Sequence, residues 1–266
     1  MDPGVGSEAW DAGDAYERYV GRWSRVVATE FLGWLAAAPG LAWADVGSGT
    51  GALTSAILAH CAPSSVRGID SSKGFLSLAR RRITASNAAF EHGDATRLPW
   101  NSGVFDVAVS GLVLNFVSDH GAMVREMARV TRPGGCVGAY VWDYGEGMQM
   151  MRYFWDAAIA VSPADSRLDQ AERFPVCAPG PLRELFERAS LKGVEIRMIE
   201  IPTVFRDFDD FWTPFLGKTG AAPTYLASAT AEVREGIRRA LESRLAPPRG
   251  GPLELTARAW AVRGVA

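Results

Sequence analysis

The stretch LAWADVGSGTGALTSAI, Leu41–Ile57, decides how the chain is read. Gly47, Gly49 and Gly51 fall within five residues, between a short apolar run and a longer one. A strand entering a glycine turn that opens a helix brings backbone close to a bound molecule. The turn is not a P-loop, because no lysine follows Gly51 and G-x-x-x-x-G-K-[ST] is absent here. A dinucleotide fingerprint stays open: Gly47, Gly49 and Ala52 satisfy G-x-G-x-x-A, and Asp70 ends the next strand where a ribose-binding acid belongs. Three features lie beyond that bare fingerprint. The loop starts from Asp45, as D-x-G-x-G-x-G. The third strand ends HGDA, with Asp94 able to accept from an adenine amine. VTRPGG, Val130–Gly135, reads as a tight turn from helix to strand.

Outward from the loop, strand-like and helix-like segments alternate. SVRGID, AAFEHGD, VFDVAVSG and GGCVGAYVW read as strands, and GALTSAILAHC, KGFLSLARRRITA and DHGAMVREMARVT as helices. This pattern predicts an α/β fold with a parallel sheet covered on both faces. Upstream, residues 14–38 read as a helical cover, broken near Gly21. Downstream, the stretches 143–178 and 206–246 are too long for bare connections and are expected to carry helices of their own. GVEIRMIEIPTVF and LELTARAWAVRG supply two late strands. The chain reads as a single domain over 1–266, with its core at 41–142 and two insertions that follow late strands.

Composition narrows the partners. The 266 residues carry a formal charge of −2, so nothing electrostatic points to nucleic acid. The N-terminus lacks the basic and apolar regions of a secretory signal, and no apolar run has membrane-spanning length. Cys61, Cys136 and Cys177 are odd in number and far apart, which suits a reducing cytoplasm and no metal site.

WADVGSGTGALT, GIDSSKGFLSLA, HGDATRLPW, FDVAVSGLVLNFVSD and ARVTRPGG, taken in order, resemble the motifs of class I S-adenosylmethionine-dependent methyltransferases. The resemblance is to the small-molecule group related to ubiquinone and menaquinone methyltransferases, and it runs from Trp43 to Trp142. YERYVGRWSR resembles the N-terminal lead-in of bacterial relatives more loosely. It implies a Rossmann-like, seven-stranded, mostly parallel sheet with one antiparallel strand, flanked by helices and topped by a helical lid. It further implies transfer of a methyl group from S-adenosylmethionine to a small acceptor, leaving S-adenosylhomocysteine; the insertions MQMMRYFW and FRDFDDFWTPFL, dense in methionine and aromatics, suit an apolar or aromatic one.

On that resemblance, Gly47, Ser48 and Gly49 floor the methionine portion, and Asp45 turns toward the loop or the cofactor's ammonium. Asp70 accepts from both ribose hydroxyls, since two oxygens suit a vicinal diol. Ser71 and Phe75 flank the adenine, and Asp94 and Ala95 read its edge. Ser110 and Leu112 lie near the sulfonium, while Tyr19 and Arg22 fold over the cofactor, Arg22 toward its carboxylate. Core packing is an equal reading for Phe75 and Leu112, and an exposed helix face for Arg22. No base announces itself. His60 and His92 read as structural, and His120 is the one candidate, near the expected substrate mouth. Trp142, Met148, Met151, Trp155, Phe211 and Trp212 are candidate pocket residues, although a stripe at i, i+3 and i+7 is more often core. Two other functions stay open: a protein of this fold that binds the cofactor without methylating, pericyclase-like or regulatory, and an NAD-dependent oxidoreductase. The last lacks an evident Tyr-x-x-x-Lys.

Overall fold

The structure is a computed structural model that describes residues 21–217, 220–245 and 251–266. Its strands are β1 (Ala42–Val46), β2 (Ser65–Asp70), β3 (Ala88–His92), β4 (Phe105–Gly111), β5 (Thr131–Trp142), β6 (Lys192–Phe205) and β7 (Leu253–Val265). They form one seven-stranded sheet in the order β3-β2-β1-β4-β5-β7-β6. β1 pairs in parallel with β2 and β4, β2 with β3, and β4 with β5. β7 alone runs against its neighbours β5 and β6, as a single antiparallel strand next to the sheet edge.

Helices α1 (Arg22–Leu35) and α2 (Ala52–His60) pack on each other, and α3 (Lys73–Arg82) connects β2 to β3. α4 (His120–Val130) follows β4. Local chemistry sets several of these starts. Ser72 caps α3 by accepting from the Phe75 backbone N–H at 3.2 Å, and Asp119 caps α4 by accepting from Ala122 at 2.8 Å. Gly51 starts α2 at φ 88°, a left-handed angle that disfavours other residues.

The turn expected at Val130–Gly135 takes another form. α4 ends at Val130 and β5 begins at once, with a shift of register against β4 between Phe105 and Val107. Gly134 donates to the Ala266 carbonyl at 2.9 Å, and Ala266 donates to Gly135 at 3.0 Å. The backbone groups that a turn would have paired internally are satisfied by the chain's last residue.

Both late segments carry helices. Between β5 and β6 lie α5 (Gln149–Val161), the single turn α6 (Gln170–Arg173) and α7 (Pro179–Arg188). α7 packs on α4 and against β6 and β7. Between β6 and β7 lie α8 (Phe208–Trp212), α9 (Ala221–Ser228) and α10 (Ala231–Leu245). α5 packs on α9 and α10, so the two segments share one aromatic core. Phe154 stacks on Phe215 at 4.7 Å, Trp155 meets Tyr225 at 5.5 Å, and Phe211 meets Phe205 at 5.3 Å. No described helix is long and apolar enough to cross a membrane.

Candidate active site

Strand order reverses between β1 and β4, where neighbours lead away in opposite directions. Open α/β sheets bind ligands at such a point, outside the carboxyl ends of the strands. A cavity of about 180 Å3 lies there. Gly47, Ser48 and Gly49 from the loop line it, with Asp70, Ser71 and Phe75 from the β2 side. Leu112, Val113 and Phe116 line it after β4, and Tyr140 from β5. A second cavity of about 300 Å3 adjoins it through Gly47, Asp70, Ser71, Val113 and Phe116, and reaches Asp94, Ala95 and Thr96.

The glycines have distinct reasons. A Cβ on Gly47 would come within 2.5 Å of the Val113 side chain, and φ there is 76°. Gly49 is at φ 53° with nothing within 4 Å of where a Cβ would stand, so a side chain there would fill open space beside the cavity. Gly47 and Ser48 both donate to the Ile69 carbonyl, at 2.8 and 2.9 Å, which ties the loop to β2.

Asp70 joins loop and strand. One carboxylate oxygen accepts from the Gly49 N–H at 2.8 Å and the other from the Ser72 N–H at 2.7 Å. Each oxygen keeps a lone pair for a diol hydroxyl. Burial pushes its carboxyl above the ordinary value, while those two N–H groups and His92 pull it back. Asp94 is exposed at the far cavity. Its Oδ1 accepts from the Thr96 N–H and hydroxyl, both at 2.8 Å, which holds it below the ordinary value and charged. Leu112 adopts φ 62°, a left-handed angle unusual for a branched side chain, at the point where β4 opens into the cavity.

Other expected residues lie elsewhere. Tyr19 is outside the described residues. Asp45 is fully buried and faces α2 rather than either cavity; its Oδ2 accepts from the Thr54 hydroxyl at 2.6 Å and its Oδ1 has no partner. Burial raises its carboxyl to about 7, with the Asp70 charge adding to the rise and the Thr54 bond opposing it. Ser110 is buried on the opposite face of the sheet from Tyr140, because adjacent strand residues alternate. Arg22 does not line the cavity. It packs over Trp23 and Phe205, each 4.6 Å from ring centre, and pairs with Asp210 at 3.4 Å. His120 opens into a separate groove between α4 and α7, with Arg125 and Arg188; burial lowers its pKa, against the pull of Asp119. Trp142, Met148, Met151, Trp155, Phe211 and Trp212 are all buried in the core and line none of these cavities.

Val113, Phe116 and Tyr140 are site residues that the sequence reading missed. The rule that ligands sit at strand carboxyl ends would have flagged Tyr140 near the end of β5. Phe116 had no such signal, because a three-residue turn, Leu114–Phe116, carries it to the mouth.

The residues suit an adenosyl cofactor on two observations. Asp70 keeps acceptor capacity at one end of the cleft, and an open cradle lies at Gly49. Comparison with known proteins agrees. Residues 44–138 match the model of a methyltransferase domain. A demethylmenaquinone methyltransferase of Bacillus licheniformis is 31% identical over 165 residues, covering 57% of this chain and 70% of that one. Two solved structures share the fold at low identity. Haemonchus contortus phosphoethanolamine N-methyltransferase 2, with S-adenosylhomocysteine, has a TM-score of 0.60 at 16% identity, over 97% of this chain and 58% of that one. The [4+2]-cyclase SpnF has a TM-score of 0.51 at 20% identity, over 88% and 80%. The chain belongs to the class I S-adenosylmethionine-dependent methyltransferases, in the group related to the quinone methyltransferases.

Proposed function

We propose that the cleft passes a methyl group from S-adenosylmethionine to a small apolar or aromatic acceptor. The observation that carries this reading is the contrast between the two sides of the cleft. Asp70, Ser71 and Ser72 offer polar groups on the β2 side, whereas Leu112, Val113 and Phe116 form an apolar wall beyond β4. A polar side suits the ribose, and an apolar wall suits an aromatic or aliphatic acceptor.

Asp70 holds the ribose diol, Gly47–Gly49 floor the amino-acid portion, Ser71 and Phe75 flank the adenine, and Asp94 with Ala95 meets its edge. The cofactor supplies a methyl group already activated on a positively charged sulfur. The chain then has to orient the acceptor in line and exclude water, and holding two reactants in register is itself worth about 7–11 kcal/mol of barrier. No histidine lines either cavity among the described residues, so the reading uses no histidine base. Residues 21–38 act as a cover, 41–142 as the cofactor-binding core, and the described parts of 143–178 and 206–246 as a lid; residues 14–20 of the expected cover lie outside the described residues. The lid works through the placement of its whole layer, since its aromatic side chains are buried. The protein acts in the cytoplasm and without a metal.

The test is transfer of label from methyl-labelled S-adenosylmethionine to catechol, 1-naphthol or 1,4-naphthoquinol. The last is included because the Bacillus licheniformis relative is named for demethylmenaquinone. Labelled product from one of them is expected. Binding of S-adenosylhomocysteine with no transfer to any would overturn the aromatic-acceptor reading and favour a binding protein.

A further inference from the structure

Two consecutive residues at the carboxyl end of β4 make opposite demands. Gly111 has no positive φ and is glycine for room, because a Cβ there would collide with the Tyr140 side chain. Leu112 adopts φ 62°, an angle that suits glycine, and yet carries a branched side chain. Its N–H donates to the Tyr140 carbonyl at 2.8 Å, which anchors it to β5. The other described non-glycine residues at positive φ are Ala36, Ala62 and Ser190, and Leu112 alone of the four lines the cleft. Strained backbone persists where its surroundings over-determine it, and it gathers at ligand sites. A leucine kept where glycine would be relaxed points to a use for its side chain.

Leu112 also belongs to one part of the cleft. Val113 and Phe116 line both cavities, so they are shared with the part that reaches Asp94, and Val113 in addition covers Gly47. Leu112 lines the first cavity and not the second, as do Gly111 and Leu53. With the adenine edge on Asp94 and the ribose on Asp70, the methyl group and its acceptor fall to this remaining part. Leu112 is 8% exposed, and its hydrocarbon side chain offers nothing to the ammonium or carboxylate of the cofactor. It suits the carbon frame of an apolar acceptor, and a rigid branched group beside the reacting atom limits the width of what can reach it.

We propose that the Leu112 side chain sets the width of the acceptor that can approach the methyl group. The inference rests on the methyl-transfer reading above. Leu112→Gly tests it, since glycine adopts this backbone angle freely and only the side chain is lost. Leu112→Ala keeps the Cβ and separates added room from added backbone freedom. A thermal midpoint shows that each variant is folded, and either one suffices for the comparison. Two quantities are then measured in wild type and variants: S-adenosylhomocysteine affinity by calorimetry, and kcat/KM for catechol, 1-naphthol and 1,4-naphthoquinol. The expected result is unchanged S-adenosylhomocysteine affinity, with kcat/KM for the two-ring acceptors relative to catechol raised about tenfold in Leu112→Gly and by less in Leu112→Ala, the scale on which small changes of fit discriminate substrates. Unchanged ratios would overturn the proposal and leave methyl transfer standing. Weakened S-adenosylhomocysteine binding would overturn it differently, by assigning Leu112 to the cofactor. Wild-type protein that binds S-adenosylhomocysteine and methylates none of the three would overturn the aromatic-acceptor reading and this proposal with it.

Discussion

Asp45 and Asp70 are carboxylates at the ends of adjacent strands with different tasks. Asp70 meets backbone N–H groups and opens on the cavity, whereas Asp45 is sealed beneath the loop against Thr54. The burial of Asp45 has a pH signature. Its folded-state value, about 7, lies above its unfolded one, so between about pH 4 and pH 7 the folded protein binds more protons than the unfolded chain. Stability from this group is therefore lost as pH rises through that window, and the full cost stands above it. Asp45→Asn removes the cost. It is expected to raise the thermal midpoint relative to wild type more at pH 8 than at pH 5; equal differences at the two values would contradict the buried-charge account. At this scale the sequence was legible where a role is local. Gly47, Gly49 and Asp70 were readable because a turn and the residue ending the next strand have a fixed spacing. Ser110 was misplaced because alternation along a strand fixes that two neighbours differ in face, not which face carries the cavity. Asp45 shares the face of Tyr140 but lies beneath the loop, where the Thr54 hydroxyl meets its carboxylate.

The two insertions form a helical layer whose stability comes from aromatic packing. Trp155 is buried against Phe154 and Tyr225, and its indole N–H donates to Gln170 at 3.3 Å. Trp155→Ala is expected to cost about 3–5 kcal/mol in denaturant unfolding, the range for removing a large buried aromatic. A loss below about 1 kcal/mol, with acceptor turnover impaired, would instead restore Trp155 to a pocket role. α4 carries the other contested residue. His120 faces α7 across a groove separate from the cofactor cleft, so His120→Ala is expected to leave turnover at saturating acceptor nearly unchanged. A fall of about 10²–10⁴ would mark it as the base after all. The alternation of strands and helices was legible from periodicity. The Val130–Gly135 segment was not, because its backbone partners come from Ala266, more than a hundred residues away. Tyr140 was within reach of the rule for strand carboxyl ends, whereas its position opposite Gly111 follows from the register between β4 and β5.

At the scale of the molecule, strand order creates the site. The switch between β1 and β4 opens the cleft, and the order of strands sets the sequence of chemistry along it, from Asp94 and Asp70 to Leu112 and Tyr140. The account stands on the claim that an adenosyl cofactor lies in this cleft with its ribose on Asp70. Calorimetric titration with S-adenosylhomocysteine, of the wild type and of Asp70→Ala, tests that claim most directly. The wild type is expected to bind and NAD to give no heat. The variant, still folded, should bind about ten- to a hundredfold more weakly, as the loss of charge-assisted hydrogen bonds worth about 1.5–3 kcal/mol requires. An unchanged dissociation constant in the variant, or NAD binding with none of S-adenosylhomocysteine, would contradict it.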